Sequence, residues 1–265
     1  MTAIAVTIAG SDSSGGAGIQ ADLKTFSALG VYGASVITAL TAQNTRGVSG
    51  IHDVPPAFIT AQIDAVFSDL EVRAVKIGML SQPAAIKAVA AGLKRHEVKN
   101  IVLDPVMVAA SGDRLLAPEA VEVLLRVLIP RATLITPNLP EAAALLDALE
   151  ARTEPEMKEQ AQQLLELGAK AVLLKGGHAT GAESVDFLVQ PTSVARLAAD
   201  RIPTVNTHGT GCTLSSAIAA GLAKGLSLAE AVREGKAYVT AAIAASGKLH
   251  IGHGFGPTHH FHAWW

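Results

Sequence analysis

Residues 206–213, Asn-Thr-His-Gly-Thr-Gly-Cys-Thr, are the first candidates for chemistry in this chain. Gly209 and Gly211 flank a threonine, so the backbone can turn there without Cβ clashes, and the small residues that follow predict a buried helix. A glycine turn at a helix N-terminus directs unpaired N–H groups and the positive end of the helix dipole at one point. That arrangement favours a phosphate, and still more a phosphoryl group in transfer; an ordinary helix entry is the alternative interpretation.

Cys212 gives a second reason to treat this turn as a site. It is the only cysteine in the sequence. The dipole at a helix N-terminus lowers the pKa of a thiol, so we expect Cys212 to carry more thiolate than an ordinary cysteine at the same pH.

Four polar residues elsewhere lie at or just after the ends of predicted strands. Asn138 and Glu141 are one helical turn apart and offer hard oxygen ligands suited to Mg²⁺, although a helix cap explains the same spacing and is favoured for this motif alone. Lys175 ends a strand, where its ammonium either reaches a nucleotide phosphate or is simply solvated. Asp104 precedes a proline and is either a turn former or a carboxylate near the metal. Convergence of these residues on one sheet edge would indicate phosphoryl transfer.

The hydrophobic pattern predicts the elements that must hold these residues. Continuous apolar runs rich in β-branched residues are typical of strands buried on both faces of a parallel sheet, and segments with apolar residues at helical spacing alternate with them. Capping boxes predict helices that begin after Thr153 and Ser227. The predicted strands are residues 3–9, 35–40, 74–79, 101–106, 132–136 and 171–175, with an antiparallel hairpin at 184–189 and 194–198.

This alternation predicts an open, mostly parallel α/β sheet with helices on both faces, in which ligands bind beyond the carboxyl ends of the strands. The glycine-rich segment 10–18 follows the first strand and therefore lies at that edge. It is not a dinucleotide fingerprint, because residues 10–15 separate the strand from the first matching glycine and no acidic residue closes the next strand. A Walker phosphate loop is excluded too, since no glycine is followed by Lys-Ser or Lys-Thr.

The overall composition excludes several classes of protein. The chain has 265 residues, 49% of them hydrophobic and 17% charged, which suits one well-buried domain over residues 1–265. A formal net charge of −2 leaves no reason to expect a nucleic-acid or membrane partner. A single cysteine, the absence of a basic and apolar leader, and the absence of any apolar run near the roughly 18 residues of a membrane span predict a cytoplasmic protein.

A set of separated motifs resembles a known family. They occupy residues 9–25 (AGSDSSGGAGIQADLKT), 37–45 (ITALTAQNT), 76–80 (KIGML), 104–107 (DPVM), 136–141 (TPNLPE), 174–178 (LKGGH) and 206–213 (NTHGTGCT). In this order they are similar to the hydroxymethylpyrimidine/phosphomethylpyrimidine kinases of thiamine biosynthesis, a family of the ribokinase-like superfamily. The resemblance extends from about residue 3 to residue 262.

The resemblance implies a function and a set of site residues. The function is phosphorylation of 4-amino-5-hydroxymethyl-2-methylpyrimidine by ATP with Mg²⁺, then of the monophosphate to the pyrophosphate, by a homodimer. The implied residues are Gly209 and Gly211 for the phosphoryl group; Ala17, Asp22, Gln43, Met79 and Val106 for the pyrimidine; Asn138, Glu141, Lys175 and Thr210 for the nucleotide; and Asp104 and Glu141 for the metal. The chemistry of Gln43 agrees, because a carboxamide can pair with both a ring nitrogen and an exocyclic amine.

By the same resemblance, Cys212 stands where sugar kinases of the superfamily carry an aspartate base. We hypothesise that Cys212 deprotonates the hydroxymethyl group in the first phosphorylation. The acceptor in the second phosphorylation is a phosphate that is already anionic near neutral pH, so that step needs no base.

Two other functions stay open on the sequence alone. A pyridoxal kinase of the same superfamily would act on a pyridine that carries a similar hydroxymethyl group, although Gln43 and Met79 favour the pyrimidine. A non-catalytic pyrimidine-binding regulator would be expected to lack the anion turn or the base, and both are present here. The histidine-rich tail, residues 250–262, is not predicted to bind zinc because it has no cysteine or acidic partner nearby.

Overall fold

A computed structural model describes residues 2–107, 115–177 and 181–265 of the chain. Its strands are β1 (Ile4–Ala9), β2 (Tyr32–Ile37), β3 (Ala39–Asn44), β4 (Gly47–Asp53), β5 (Ala74–Ile77), β6 (Ile101–Leu103), β7 (Leu134–Ile135), β8 (Val172–Lys175), β9 (Glu183–Gln190) and β10 (Ser193–Asp200). Its α-helices are α1 (Gly18–Ala28), α2 (Pro56–Phe67), α3 (Pro83–Arg95), α4 (Pro118–Val127), α5 (Leu139–Leu146), α6 (Glu154–Glu166), α7 (Thr210–Ala223) and α8 (Leu228–Ala244).

The main sheet has the strand order β10-β9-β8-β7-β6-β5-β1-β2. The strands from β2 to β8 in this order are parallel to their neighbours, and β9 and β10 are added antiparallel at one edge. The predicted mostly parallel sheet and its antiparallel hairpin are therefore confirmed. Because β2 and β5 lie on opposite sides of β1, the strand order reverses there, and such a reversal opens a crevice at the carboxyl ends of the strands.

Helices cover both faces of the sheet, as predicted. One apolar core lies between the sheet and helices α2 to α6, and includes Ile63, Ile86 and Leu164. The other lies between the sheet and helices α1, α7 and α8, and includes Phe26 and Ile218. Helix α7 is buried along most of its length and contacts β1, β5 and β6, because its small side chains allow a close approach to the sheet.

The predicted strand at residues 35–40 is wrong in its bounds. β2 ends at Ile37, and β3 begins a separate two-stranded ribbon with β4. Thr38 makes the break, since its N–H donates to the Ala9 carbonyl at 3.0 Å and its hydroxyl donates to the Met79 carbonyl at 2.9 Å. β4 was not predicted because its mostly exposed sequence, which contains two glycines, shows no apolar alternation. Gln43 therefore lies in the ribbon and does not follow a strand of the main sheet.

Both predicted capping boxes are present. At the starts of α6 and α8, the Thr153 and Ser227 side chains each accept a hydrogen bond from the N–H of the glutamate three residues later. The carboxylate of that glutamate accepts from the N–H of the threonine or serine. Capping boxes can be predicted from sequence because their partners lie within one helical turn. Among the helices described, none combines the length and the apolar character that a membrane crossing requires.

Candidate active site

The anion turn, residues 209–211, begins α7 at the carboxyl end of the sheet. Gly209 has a φ of +77°, and a Cβ there would overlap the carbonyl oxygen of Gly16. Only glycine fits both conditions. The Thr210 hydroxyl donates to the Thr207 carbonyl at 2.6 Å and closes the turn. The first N–H groups of a helix have no carbonyl partner within it, so the start of α7 can bind an anion.

An ion pair of Lys175 and Asp104, which we call the open pair, lies directly below Gly211. Lys175 Nζ and Asp104 Oδ1 are 2.9 Å apart, and the lysine side chain is 13% exposed. A Cβ on Gly211 would be 3.2 Å from Lys175 Nζ. Burial opposes both charges, but attraction between the two groups lowers the pKa of Asp104 and raises that of Lys175. The structure therefore brings two predicted site residues together, both ionised, under the anion turn.

Asn138 and Glu141 form a capping box at the start of α5. The Asn138 side chain accepts from the Glu141 N–H, and the Glu141 carboxylate accepts from the Asn138 N–H, both at 2.8 Å. The cap interpretation is therefore confirmed. Burial raises the pKa of Glu141 to about 7, because the charge of Lys175 only partly offsets it and the charge of Asp104 adds to it.

The carboxylates of Asp104 and Glu141 fit a magnesium ion. In phosphoryl-transfer sites Mg²⁺ is held by one or two carboxylates together with substrate phosphates, and it keeps several waters. The raised pKa of Glu141 means that the ammonium of Lys175 does not fully neutralise the two neighbouring carboxylates of Glu141 and Asp104. A divalent cation would supply the missing positive charge. Within the described ranges no three His, Cys, Asp or Glu side chains form a metal-binding group, so the phosphates would have to complete the coordination.

Cys212 lies in the first turn of α7 and is partly exposed. The N–H of Gly18, at the start of α1, faces its sulfur and favours the thiolate. The expected lowering of the thiol pKa is wrong. Burial raises the pKa of Cys212 to about 11; the ammonium of Lys76 opposes this increase, and the charge of Asp22 adds to it. Loss of water around the thiolate therefore outweighs the helix dipole, and Cys212 is a thiol at neutral pH.

Asp22 forms a second ion pair with Lys76, which we call the sealed pair. Both Asp22 oxygens are 2.9 Å from Lys76 Nζ, and neither side chain has exposed surface. Thr7 and Ser216 each donate to the same carboxylate at 2.6 Å. Asp22, which was predicted to contact the pyrimidine, has no exposed surface and makes four hydrogen bonds inside the protein, so its carboxylate faces the interior in this structure.

Other residues predicted for the pyrimidine lie beside the ribbon. A small apolar cluster, apart from the two cores, consists of Ala39, Val48, Met79, Val106 and Leu115. Val48 is the cross-strand partner of Gln43. The Gln43 side-chain oxygen accepts from the Thr41 hydroxyl at 3.1 Å, and its amide nitrogen has no hydrogen-bond partner in the described part of the chain. An apolar wall beside such an amide suits a flat ring with polar edges.

The glycine-rich loop, residues 10–18, is organised by Asp12. Its carboxylate accepts from the N–H groups of Ser14, Gly16 and Ala17 at 2.8 to 3.0 Å and pairs with His208 Nε2 at 2.8 Å. Burial alone would raise the pKa of Asp12. The hydrogen bonds lower it by more than that, the one from His208 most of all, and hold it well below its usual value. These three N–H groups of the loop are therefore hydrogen-bonded to Asp12. The contact of Asp12 with His208 also connects the loop to the anion turn, which begins at the next residue.

The same loop also holds the ribbon. The Ser13 hydroxyl donates to the Gln43 carbonyl at 2.8 Å and accepts from the Gln43 N–H at 2.9 Å. The Thr41 hydroxyl donates to the Ser11 carbonyl at 2.8 Å. Two consecutive residues of the loop therefore hold different parts of the site. Ser13 holds the Gln43 backbone, and Asp12 holds the anion turn through His208. Ala17, predicted for the pyrimidine, is the N-cap of α1 and lies beside the anion turn, since a Cβ on Gly209 would be 3.3 Å from its Cα.

The tail supports α7 from another side. His260 Nε2 is 3.1 Å from the Thr213 hydroxyl. Burial lowers the pKa of His260 to about 3, and the nearby charge of Lys24 adds to the effect. His260 is therefore a neutral structural group at physiological pH.

Asp12, His208 and Lys76 were not predicted as site residues. Lys76 did carry a signal, because an ammonium inside an apolar strand needs a buried partner. Asp12 carried a weaker one, since an aspartate before Ser-Ser-Gly-Gly is typical of a turn organised by its side chain. The pairing of Asp12 with His208 spans 196 residues, and nothing local announces it.

Known proteins match both the sequence and this structure. The family model described as phosphomethylpyrimidine kinase matches residues 12–259. The hydroxymethylpyrimidine/phosphomethylpyrimidine kinase of Rhizobium meliloti (strain 1021) is 61% identical over 265 residues, which are 100% of this chain and 99% of that protein. A phosphomethylpyrimidine kinase structure from Clostridium difficile 630 has 50% identity and a TM-score of 0.81, covering 91% of this chain and 99% of its own. Pyridoxal kinase from Bacillus subtilis, as an ADP complex, has 39% identity and a TM-score of 0.91, covering 98% of both chains. The chain therefore has the ribokinase-like fold and belongs to the phosphomethylpyrimidine kinase family.

Proposed function

We propose that this chain phosphorylates 4-amino-5-hydroxymethyl-2-methylpyrimidine with MgATP and then phosphorylates the monophosphate to the pyrophosphate, in thiamine biosynthesis. In the first step the alcohol oxygen forms a bond to the γ-phosphorus of ATP while the bond from that phosphorus to the bridging oxygen breaks, and ADP leaves. In the second step a phosphate oxygen is the nucleophile. The paired activities in the name of the Rhizobium meliloti relative support this assignment.

One observation carries the proposal: the anion turn lies directly over the open pair. A Cβ on Gly211 would be 3.2 Å from Lys175 Nζ and 3.5 Å from Asp104 Oδ2. Helix N–H groups, an ammonium and a carboxylate thus converge on one place, which suits the charge that develops on a transferring phosphoryl group. A regulator that only binds a pyrimidine would have no use for this convergence.

The nucleotide and metal end is assigned to the edge formed by β6, β7 and β8. Lys175 would pair with ATP phosphates, and Asn138, bridged to Lys175 through the backbone, borders the same place. Thr210 begins the helix whose N–H groups face the phosphates. Asp104 and Glu141 would hold Mg²⁺, which when bound neutralises phosphate charge and orients the leaving group.

The pyrimidine end is assigned to the ribbon and the apolar cluster beside it. Gln43 would pair with the ring nitrogen and the exocyclic amine, while Met79 and Val106 pack against the ring face. Ala17 lies beside the anion turn, since a Cβ on Gly209 would be 3.3 Å from its Cα, so a ring that contacts Ala17 would bring its hydroxymethyl group near the start of α7.

Cys212 is assigned as the proton acceptor of the first step only. With a thiol pKa of about 11, the thiolate is a small fraction of the free enzyme at neutral pH but a strong base. The monophosphate is largely a dianion above pH 7 and needs no such acceptor. The two phosphorylations therefore share the phosphoryl machinery and differ in their need for Cys212.

Pyridoxal phosphorylation is the second candidate. The similarity to pyridoxal kinase from Bacillus subtilis over nearly the whole chain favours it. A pyridine ring has the same flat shape, but it lacks the aminopyrimidine edge that a carboxamide matches with a donor and an acceptor. The position of Gln43 therefore ranks the pyrimidine first.

The two candidates can be separated in one assay. The purified protein is incubated with ATP, Mg²⁺ and either the hydroxymethylpyrimidine or pyridoxal, and products are followed by mass spectrometry. Monophosphate followed by pyrophosphate from the pyrimidine is the expected result. Product from pyridoxal alone would contradict the assignment, and chelation of Mg²⁺ should stop turnover of either substrate.

We further propose a cytoplasmic homodimer, on the resemblance to the family. Sedimentation of the purified chain tests this assembly, for which a mass near twice 27.2 kDa is expected. A mass of 27.2 kDa would contradict it.

A further inference from the structure

The first turns of α1 and α7 run side by side in two layers. In the upper layer the Gly18 N–H of α1 faces the sulfur of Cys212 on α7 and favours its thiolate form. One helical turn further on, in the lower layer, Ser216 of α7 donates to Asp22 of α1 at 2.6 Å. Each layer therefore holds one contact between the two helices, and residues four apart lie on the same helix face.

The lower layer is locked to the sheet. Lys76 on β5 binds both oxygens of Asp22 at 2.9 Å, and Thr7 on β1 donates to the same carboxylate at 2.6 Å. None of these side chains has exposed surface. A fully buried and fully hydrogen-bonded ion pair has little freedom to move, since leaving either charge unpaired in the interior is costly.

The start of α1, one turn above Asp22, is also closely packed. Gly18 has a φ of +54°, and a Cβ there would lie 2.5 Å from the Gly10 carbonyl oxygen, so the backbone approaches closely. The Cys212 sulfur, which the Gly18 N–H faces, thus lies between two helix starts, each fixed one turn below by the same carboxylate.

We infer that the sealed pair positions Cys212 and does not bind substrate. Asp22 and Lys76 fix the separation of the starts of α1 and α7, and they place two opposite charges behind the thiol. This inference rests on the proposed function for the meaning of Cys212, and it adds a role that Asp22 and Lys76 play through another residue.

The charges around the thiol give this arrangement a measurable signature. Among the described residues, Lys76 and Lys175 are cations near Cys212, and Asp22 and Asp104 are carboxylates near it. Replacing Lys76 removes a cation and should make the thiolate rarer, whereas replacing Asp22 removes an anion and should make it more common. General loosening of the site would instead expose the thiol in both variants and speed its reaction in both.

The test measures alkylation of Cys212 by iodoacetamide at pH 8. Because Cys212 is the only cysteine in the chain, all reaction reports on it. Lys76→Met should slow alkylation and Asp22→Asn should speed it, each by about threefold per unit of pKa shift, since the nucleophilicity of the thiolate changes in the direction opposite to its fraction and offsets part of the effect. Val232→Ala, a buried change in α8 away from the site, controls for simple destabilisation.

Two further variants protect the test against misfolding. The double variant Asp22→Asn with Lys76→Met leaves no unpaired buried charge, and Ser216→Ala removes one hydrogen bond while keeping both charges. In Ser216→Ala the kcat of the first phosphorylation should fall several-fold, while the KM for the pyrimidine changes by less than about twofold.

Two results would overturn the inference. One is alkylation that changes in the same direction, or not at all, in Lys76→Met and Asp22→Asn. The other is a Ser216→Ala enzyme whose KM rises while kcat is unchanged, because that pattern indicates a ground-state contact with substrate. Alkylation needs no substrate, so a wild-type chain that fails to phosphorylate the pyrimidine would refute the proposed function and still leave this result readable.

Discussion

The open pair and the sealed pair are two versions of one construction, and they differ in access. Each consists of a strand lysine and an aspartate at 2.9 Å. Lys175 and Asp104 reach the cleft with 13% and 3% of their side chains exposed, whereas Lys76 and Asp22 have no exposed surface. A pair that reaches the cleft can exchange its partner for a phosphate or a metal ion. A pair that does not can only hold its neighbours in place.

Consecutive positions of α7 match this division. Gly211 lies over the open pair, and Ser215, one turn later, lies 3.4 Å from Asp104 Oδ2. Cys212 lies over the sealed pair, and Ser216, one turn later, donates to Asp22. In the proposed function, one helix therefore serves phosphoryl transfer through Gly211 and proton transfer through Cys212, with a separate ion pair under each.

Breaking the open pair should have the largest effect. In Lys175→Met, both phosphorylations should slow by on the order of 10³, because the ammonium that faces the phosphates is lost and Asp104 loses its ion-pair partner. Rates are measured for each acceptor separately. Lys175→Arg keeps the charge and should recover part of both rates. A variant that keeps either step at the wild-type rate would contradict a shared role for the open pair.

Crowding the open pair from above is the next test. Gly211→Val places side-chain carbons against Lys175 and Asp104, and both steps should slow by on the order of 10². Gly247→Val is the matched control, since a Cβ at Gly247 meets no atom within 4 Å. If both glycine variants lose activity equally, the loss does not come from the open pair.

These two tests concern residues that the sequence already placed at the site. Gly211, Asp104 and Lys175 were accessible to prediction because strand ends of a parallel sheet share one edge, so the order of elements alone brings them together. The capping box of Asn138 and Glu141 was predicted for a similar reason, because its partners are three residues apart.

The sealed pair was not accessible in the same way. Asp22 and Lys76 are 54 residues apart, and their contact depends on how α1 packs against β5. The thiol pKa of Cys212 was predicted in the wrong direction because the helix dipole can be inferred from the sequence, whereas burial depends on the packing of α1 against α7. Long-range packing therefore decided what local patterns left open.

The pH dependence of the two steps should sharpen the comparison. Because the free thiol has a pKa of about 11, kcat/KM for the first phosphorylation should keep rising above pH 8.5. The monophosphate is already a dianion, so the ratio of first to second should increase by about tenfold per pH unit between roughly pH 7 and 10. A ratio that levels off near pH 8.5 would mean that the thiol behaves as an ordinary cysteine.

The next prediction concerns stability at acid pH and not the rate of either step, and it applies to the tail side of α7. The folded-state pKa of His260 is lowered to about 3, so its contribution is present above its unfolded value near 6.5 and is lost as pH falls toward 3. The free energy of unfolding should fall by up to about 1.4 kcal/mol per pH unit from this group in that window. Urea unfolding of His260→Asn should show a shallower fall, whereas the exposed His253→Asn should follow the wild type.

The proposed division of roles between Gly211 and Cys212 on α7 is tested most directly by one time course. Wild-type protein and Cys212→Ala are each given MgATP and the hydroxymethylpyrimidine, and in a parallel reaction the monophosphate, with both products quantified by mass spectrometry. We expect Cys212→Ala to slow formation of the monophosphate by at least tenfold more than formation of the pyrophosphate, because only the first step loses its general base. Equal losses in the two reactions would contradict it.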